Sequence, residues 1–288
     1  MCIECIYCMD CVECLDHLGC FDRSASRSTL SFFSQLKMSI SSNSEHPGAP
    51  AQPTLTDTMA LRIGRIQARM AEACARVGRD PAEVALLPVS KTFDSNAIRE
   101  ALALGFTRFG ENRMQEVAQK APLLEDCNVN WVVIGSLQTN KAKEVARYAS
   151  ELQSLDRLEL AEALERRLQL EGRTIDVLVQ VKTSTEDTKS GLEPAELVSF
   201  LRQLSQYPSL HVKGLMTMAV LSDDPIAVRK CFSQLRELRD QAQQEGIAGI
   251  SLERLSMGMS GDFELAIEEG STEIRVGSAV FGSRAAPA

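Results

Sequence analysis

Lys91 is the residue whose position most clearly suggests covalent chemistry. It directly follows the apolar segment 86–90, which is typical of a strand. Apolar surroundings favour the neutral form of an amine, and a neutral amine can attack a carbonyl group to form a Schiff base. The alternative is a lysine that extends from the strand end into solvent. Both interpretations of Lys91 stay open at this point.

Two glycine-containing segments, residues 256–260 and 275–278, could bind an anion. Glycines such as Gly258 and Gly277 let backbone N–H groups approach a phosphate closely. The alternative is that these glycines belong to ordinary turns and that Ser260 caps a helix. Capping and anion binding are compatible, because both use the unpaired amides of a helix start.

Arg275 precedes Gly277 on the last apolar segment and would face the same way, toward the interior. A buried guanidinium needs acceptors for its donors. It could therefore contact a ligand, or it could form a structural ion pair with Glu111 or Glu273. The residues alone leave the two roles equally open.

Short apolar segments alternate with amphipathic helical patterns over the body of the chain. The predicted strands are 84–89, 106–109, 131–134, 151–155, 175–181, 212–218, 252–256 and 274–281. The predicted helices between them are 97–104, 114–124, 157–170, 197–204, 227–242 and 263–269. Eight such β/α repeats predict a single α/β domain over residues 57–284, a (β/α)8 TIM-type barrel. An open doubly wound sheet is the alternative, weakened because no G-x-G-x-x-G fingerprint is present.

An additional N-terminal helix is predicted over residues 57–77. Its apolar stripe ends before Gly78, which stands where a helix C-cap would. The stripe consists of Leu61, Ile63, Ile66, Met70, Ala73 and Val77. Because the last strand is predicted to run to residue 281 with no helix after it, we expect the first helix to close the outer ring.

Composition excludes several classes of protein. The 288 residues carry a net charge of −8, which argues against nucleic-acid binding. No apolar run approaches the length of a membrane span. With only His17, His46 and His211, the chain has few means for histidine-based metal or triad chemistry. We expect a cytoplasmic protein, with a mitochondrial location as the weaker alternative.

Residues 1–56 are predicted to be a disordered leader rich in Cys, Ser and Pro. Six of its residues are cysteines, at positions that resemble metal-ligand spacing: Cys2, Cys5, Cys8, Cys11, Cys14 and Cys20. The run has no partner cluster and no closing proline, so we predict no metal site there. The three remaining cysteines are scattered singly, as in proteins of reducing compartments.

The loop segments together resemble the pyridoxal phosphate homeostasis protein family. The resemblance covers about residues 57–284, with matching motifs in order at 86–92, 109–113, 134–141, 189–191, 214–217, 256–260 and 271–277. That family is a single barrel similar to the N-terminal domain of alanine racemase. The resemblance implies the cofactor pyridoxal 5′-phosphate (PLP).

The same resemblance assigns roles to individual residues. It implies that Lys91 carries PLP as a Schiff base and that Arg275 faces the pyridine nitrogen. It implies that the phosphate is held, largely through backbone N–H groups, by Ser256, Met257, Gly277 and Ser278. Asn112 and Asn140 are expected to line the cofactor pocket.

Physical arguments favour a carrier of PLP over an enzyme. An arginine cannot accept a proton from the pyridine nitrogen, so the ring is a poorer electron sink than with an aspartate. A racemase also needs a second acid–base group, and the tyrosines Tyr7, Tyr148 and Tyr207 do not fall where one is needed. Lys182 or Lys189 could still act as a base.

We therefore expect a monomeric protein of intracellular PLP homeostasis that delivers its cofactor to apo PLP-dependent enzymes, with little or no catalysis. Lys189 is a candidate acceptor in moving PLP off Lys91. The alternatives are a PLP-dependent amino-acid racemase or decarboxylase, and a cofactor-free Schiff-base aldolase that uses Lys91 and the same anion site.

Overall fold

The computed structural model describes residues 57–184 and 190–282. The predicted leader, 1–56, and the candidate acceptor Lys189 lie outside the described residues. The predicted domain end at residue 284 lies outside them as well.

Eight parallel strands form one sheet within the described residues, in the order β1-β8-β7-β6-β5-β4-β3-β2. The strands are β1 Ala85–Pro88, β2 Arg108–Glu111, β3 Asn130–Val133, β4 Ala149–Leu155, β5 Ile175–Gln180, β6 Leu210–Met216, β7 Arg254–Ser256 and β8 Glu273–Val276. Each predicted strand segment overlaps one of them, with ends that differ by up to five residues, which confirms the predicted repeat.

The sheet closes into a barrel between its first two strands. Beyond the end of β1, Val89 pairs in parallel with Gly110 of β2, and the Ser90 N–H donates to the Gly110 carbonyl at 3.0 Å. The predicted (β/α)8 barrel is therefore confirmed, and the open doubly wound alternative is wrong. The carboxyl ends of all eight strands meet at one mouth of this barrel.

Helices follow the strands around the outside. Those described are α1 Met59–Arg76, α2 Ser95–Ala103, α3 Met114–Lys120, α4 Ala142–Tyr148, α5 Leu158–Glu171, α6 Leu197–Leu204, α7 Pro225–Gln244, α8 Phe263–Glu268 and α9 Ser278–Phe281. Short 3₁₀ helices are Pro81–Glu83, Ala121–Leu124, Thr139–Lys141 and Pro194–Glu196. The predicted helix 114–124 divides at Ala121, because Pro122 has no N–H to continue an α-helical ladder.

The predicted last strand, 274–281, is too long. Strand β8 ends at Val276, and Ser278–Phe281 forms the short helix α9. Gly277 lies between them with φ −103° and ψ −91°, outside extended geometry. The apolar run after Gly277 therefore turns back onto the barrel instead of lengthening the sheet.

Helix α1 packs beside α8, as expected for a helix that completes the outer ring. Arg69 bonds to Glu264 at 2.6 Å, and its guanidinium lies 4.5 Å from the centre of the Phe263 ring. Leu61 and Val77 of the predicted stripe are exposed. The buried face consists of Met59, Ile63, Ile66, Met70, Ala73 and Cys74. The C-cap is Val77, one residue before the predicted Gly78, which follows it in a left-handed conformation with φ +66°.

Two kinds of feature are missing from the part of the chain that the structure describes. None of its helices combines the length and the apolar character that crossing a membrane requires. None of its His, Cys, Asp and Glu side chains form a group of three that could hold a metal ion.

Candidate functional site

Lys91 lies at the mouth of the barrel, just beyond the carboxyl end of β1. Lys91 is half-buried, and its amine makes no hydrogen bond or ion pair to any described residue. The next residue, Thr92, has a left-handed backbone with φ +69°, the only non-glycine residue of the described chain with a positive φ. Such a conformation is strained for a β-branched side chain and is characteristic of functional sites.

Arg275 lies on β8 and points into the barrel, as predicted. The residue is 5% exposed. Its Nη1 donates to the Ser256 hydroxyl at 2.7 Å, and its Nη2 donates to the Thr217 carbonyl at 2.8 Å. Burial lowers the pKa of Arg275 to about 10, opposed by the charges of Glu273 and Asp262. No hydrogen bond joins Arg275 to either of the ion-pair partners considered above, and Glu111 bonds to Lys120 instead.

A charged network fills the barrel interior beneath Arg275. The carboxylate of Glu273 accepts from Arg108 at 2.7 Å and from Arg254 at 2.7 Å. The carboxylate of Glu151 accepts from the same two arginines at 2.7 and 3.0 Å. Burial disfavours ionisation of Glu273, but Arg254 and Arg108 outweigh it and lower its pKa. Barrel interiors are usually apolar, so these four charges are an unusual core.

Ser256 connects this network to Arg275. Its hydroxyl lies 2.7 Å from Gln153 Oε1 and accepts from Arg275, while Gln153 Nε2 donates to Glu151 at 2.7 Å and to Glu273. The next N–H, that of Met257, donates to the Glu273 carbonyl at 3.1 Å. The side chain of Ser256 and the N–H of Met257 are thus engaged within the barrel wall.

Gly277 and Ser278 present backbone donors at the mouth. Their N–H groups have no acceptor among the described residues, since α9 begins at Ser278 and its first amides lack intrahelical partners. The Gly277 carbonyl accepts from Val280 at 2.8 Å, which fixes the turn. Such N–H groups can bind a phosphate, and the phosphate-binding role that the resemblance implies for these two residues stays a prediction.

The two candidate asparagines are placed differently. Asn112 follows β2, and its Oδ1 is buried without a hydrogen-bond partner in the described structure. A Cβ on Gly135 would lie 2.2 Å from the Asn112 carbonyl, so only glycine allows this close approach. Asn140 is exposed and lines a groove of about 430 Å³ with Arg166 and Arg167, between α4 and α5. None of the other candidate residues lines this groove.

The tyrosines considered as acid–base groups do not reach the mouth. Tyr148 ends α4 directly before β4, and Tyr207 precedes β6, so both lie at the amino ends of strands. Lys91 lies at the opposite, carboxyl end. Burial and the charge of Glu162 raise the pKa of Tyr207. Lys182 does follow β5 at the mouth, with its amine 3.4 Å from Glu193, and Tyr7 lies outside the described residues.

Lys120 is the functional candidate that the sequence analysis missed. It is buried on α3 and bonds to Ser90, directly before Lys91. The spacing of Glu116 and Lys120, four residues apart on a helix, was the available signal. It could not show that the pair faces the barrel mouth.

Comparisons with known proteins identify the family of the chain. Residues 61–285 match the family described as the alanine racemase N-terminal domain. The pyridoxal phosphate homeostasis protein of Aquifex aeolicus is 41% identical over 223 residues, which cover 77% of this chain and 97% of that protein. The protein of the same name from Pseudomonas aeruginosa is 40% identical over 79% of this chain and 96% of its own length.

Solved structures give the same result. PipY of Synechococcus elongatus, solved with PLP bound, is 36% identical, with a TM-score of 0.69 over 78% of this chain and all of that one. Alanine racemase of Clostridium difficile shares the fold at 12% identity, with a TM-score of 0.63 over 79% of this chain and 57% of that one. The chain belongs to the pyridoxal phosphate homeostasis protein family.

Proposed function

We propose that this protein binds PLP on Lys91 and acts in intracellular PLP homeostasis. The observation that carries the proposal is the amine of Lys91, which no other described residue engages, on a strained turn at the barrel mouth. A relative that the chain matches over 78% of its length has been solved with PLP bound, which supports the same assignment.

The surrounding residues fit this cofactor. Gly277 and Ser278 offer N–H donors that have no acceptor in the described part of the chain, suited to a phosphate group. Asn112 has a buried oxygen without a donor. Arg275 would face the pyridine nitrogen, held in place by Ser256. We therefore assign the phosphate to Gly277 and Ser278 and give the Ser256 hydroxyl a positioning role instead.

Bound PLP supplies an aldehyde, which condenses with a lysine amine to form a C=N bond with loss of one water molecule. The protein's part is to hold Lys91 at the mouth with an amine that makes no bond to the residues of 57–184 and 190–282. Arg275 keeps a positive charge deep in the barrel, where it offers no proton acceptor to the pyridine nitrogen. This arrangement holds the cofactor without activating it as an electron sink.

We propose that the protein carries PLP and does not catalyse a reaction efficiently. Tyr148 and Tyr207 lie at the end of the barrel away from Lys91, so neither can act as a second acid–base group there. We also propose that the protein is a monomer and that it delivers PLP to apo PLP-dependent enzymes.

The test is a spectroscopic titration of the purified full-length protein with PLP. We expect a visible absorption band that saturates near one equivalent. Lys91→Ala should abolish the band, while the control Lys143→Ala, which removes an exposed lysine of α4, should retain it. No band in the wild type would refute the proposal and favour the cofactor-free aldolase. Turnover of amino acids by the loaded protein would instead favour a racemase or decarboxylase.

A further inference from the structure

The amine of Lys120 is enclosed by three oxygen acceptors. It donates to the Ser90 carbonyl at 3.0 Å, to Glu111 Oε1 at 2.7 Å and to Glu116 Oε2 at 3.0 Å. An ammonium group has three N–H donors, and all three are used here. The residue is 8% exposed, so this is a buried contact rather than a surface ion pair.

The same two carboxylates hold the chain on both sides of Lys91. The Ser90 hydroxyl donates to Glu111 Oε1 at 2.6 Å, and the Thr92 N–H donates to Glu116 Oε2 at 2.7 Å. Residues 90 and 92 are therefore both tied to the cluster, whereas the side chain of Lys91 between them is not. We call Glu111, Glu116 and Lys120 the lysine clamp.

The clamp sustains an unfavourable backbone conformation. Thr92 has φ +69°, a region that β-branched residues rarely adopt, so surrounding contacts must enforce it. The bond from the Thr92 N–H to Glu116 is the side-chain contact that can do so. The strained turn and the clamp are thus parts of one arrangement.

Removal of Lys120 would leave two carboxylates without their shared cation. Burial raises the pKa of Glu111, and the bonds from Lys120 and Ser90 oppose that rise. Glu111 Oε2 already lacks a partner within the described structure. Without Lys120 the cluster would rearrange, and with it the backbone on either side of Lys91.

We propose that the lysine clamp is a positioning device that fixes the direction of Lys91 toward the mouth and thereby sets how long PLP is retained. This inference rests on the proposed function, because it assumes that Lys91 is the attachment point. None of the three residues is assigned to touch the cofactor. They act through the backbone of residues 90 and 92.

The experiment measures the retention of PLP by the loaded full-length protein during dialysis. In the Lys120→Met protein, borohydride should still fix PLP covalently on Lys91. This variant should release unreduced PLP at least tenfold faster than the wild type. Lys143→Met makes the same chemical change at an exposed position of α4 and should stay within twofold. Glu116→Gln keeps an oxygen acceptor but removes the charge, so it should accelerate PLP release less than Lys120→Met does. It also provides a second test of the clamp if the Lys120 variant does not fold.

A fourth variant separates positioning from general loosening of the fold. Leu168→Ala removes a fully buried side chain of α5, away from the clamp. We expect it to lower the urea midpoint while PLP release stays within twofold. Equal acceleration by Leu168→Ala and the clamp variants at matched loss of stability would overturn the inference, as would wild-type retention in both clamp variants. If the wild type takes up no PLP on Lys91, the proposed function is itself wrong.

Discussion

Replacement of Glu273 by glutamine tests the charged core most directly. The Glu273 side chain is 1% exposed and accepts hydrogen bonds from Arg108 and Arg254. With Glu151, these residues form a set of two positive and two negative charges. Glu273→Gln keeps the shape of the side chain but leaves Arg108 and Arg254 with one carboxylate, that of Glu151, instead of two.

The expected loss follows from the geometry. Breaking one side of a buried ion pair costs about 3–5 kcal/mol. The side chains of Arg108 and Arg254 are 34% and 24% exposed, so solvent screening reduces the expected loss of stability to about 3 kcal/mol. For a domain of this size, that corresponds to a melting temperature lowered by roughly 6–12 °C.

The pKa of Glu273 also determines how the stability loss caused by Glu273→Gln changes with pH. Arg254 and Arg108 lower the pKa of Glu273 below its ordinary value of 4.5, against the effect of burial. Its stabilisation is therefore fully present above that ordinary value and is lost as the pH falls through the lower folded-state pKa. The difference between wild type and variant should be constant near neutral pH and shrink below about pH 4.

Urea unfolding of the apo protein, followed by circular dichroism, measures this difference. The matched control is Glu253→Gln, an exposed residue directly before β7, which should change stability by less than about 0.5 kcal/mol. A loss below about 1 kcal/mol for Glu273→Gln, or a loss that does not shrink in acid, would show that the network contributes little.

Two further predictions concern the backbone near the site. Gly135→Ala should destabilise the protein by more than about 2 kcal/mol and weaken PLP binding, because the added Cβ would lie 2.2 Å from the Asn112 carbonyl. Gly64→Ala, in α1 with open space around it, should stabilise by about 0.5–1 kcal/mol in the same unfolding assay; equal effects of the two would contradict the packing argument. Thr92→Gly should raise stability by about 0.5 kcal/mol, since glycine adopts φ +69° without strain. It should also shorten PLP retention, and a more stable protein that holds PLP as long as the wild type would show that the strain does not serve Lys91.

The barrel could be predicted because its strands are short buried runs separated by amphipathic helices. Helix α6 was predicted at its observed bounds, Leu197–Leu204. The end of β8 was not, because the apolar run after Gly277 suits a buried strand and a buried helix turn equally well. Its observed form depends on the backbone of Gly277, which periodicity does not report.

In the candidate site, too, some features could be predicted from the sequence and others could not. Lys91, Gly277 and Ser278 could be found because parallel strands bring their carboxyl ends to one mouth. The engagement of Ser256 by Gln153 could not be predicted, since it joins strands that are 103 residues apart in the sequence. Asn140 belongs to a segment that matches the family, but it is exposed on the 3₁₀ helix Thr139–Lys141 and lines a groove with Arg166 and Arg167, which the sequence pattern does not indicate.

Borohydride reduction of the PLP-loaded protein, followed by peptide mapping, tests the central claim most directly. We predict one stoichiometric pyridoxyl group, on the peptide that contains Lys91, and none at that position in protein reduced without PLP. A stoichiometric adduct on a different lysine, or no adduct in protein that has bound PLP, would contradict the assignment of Lys91 as the attachment point.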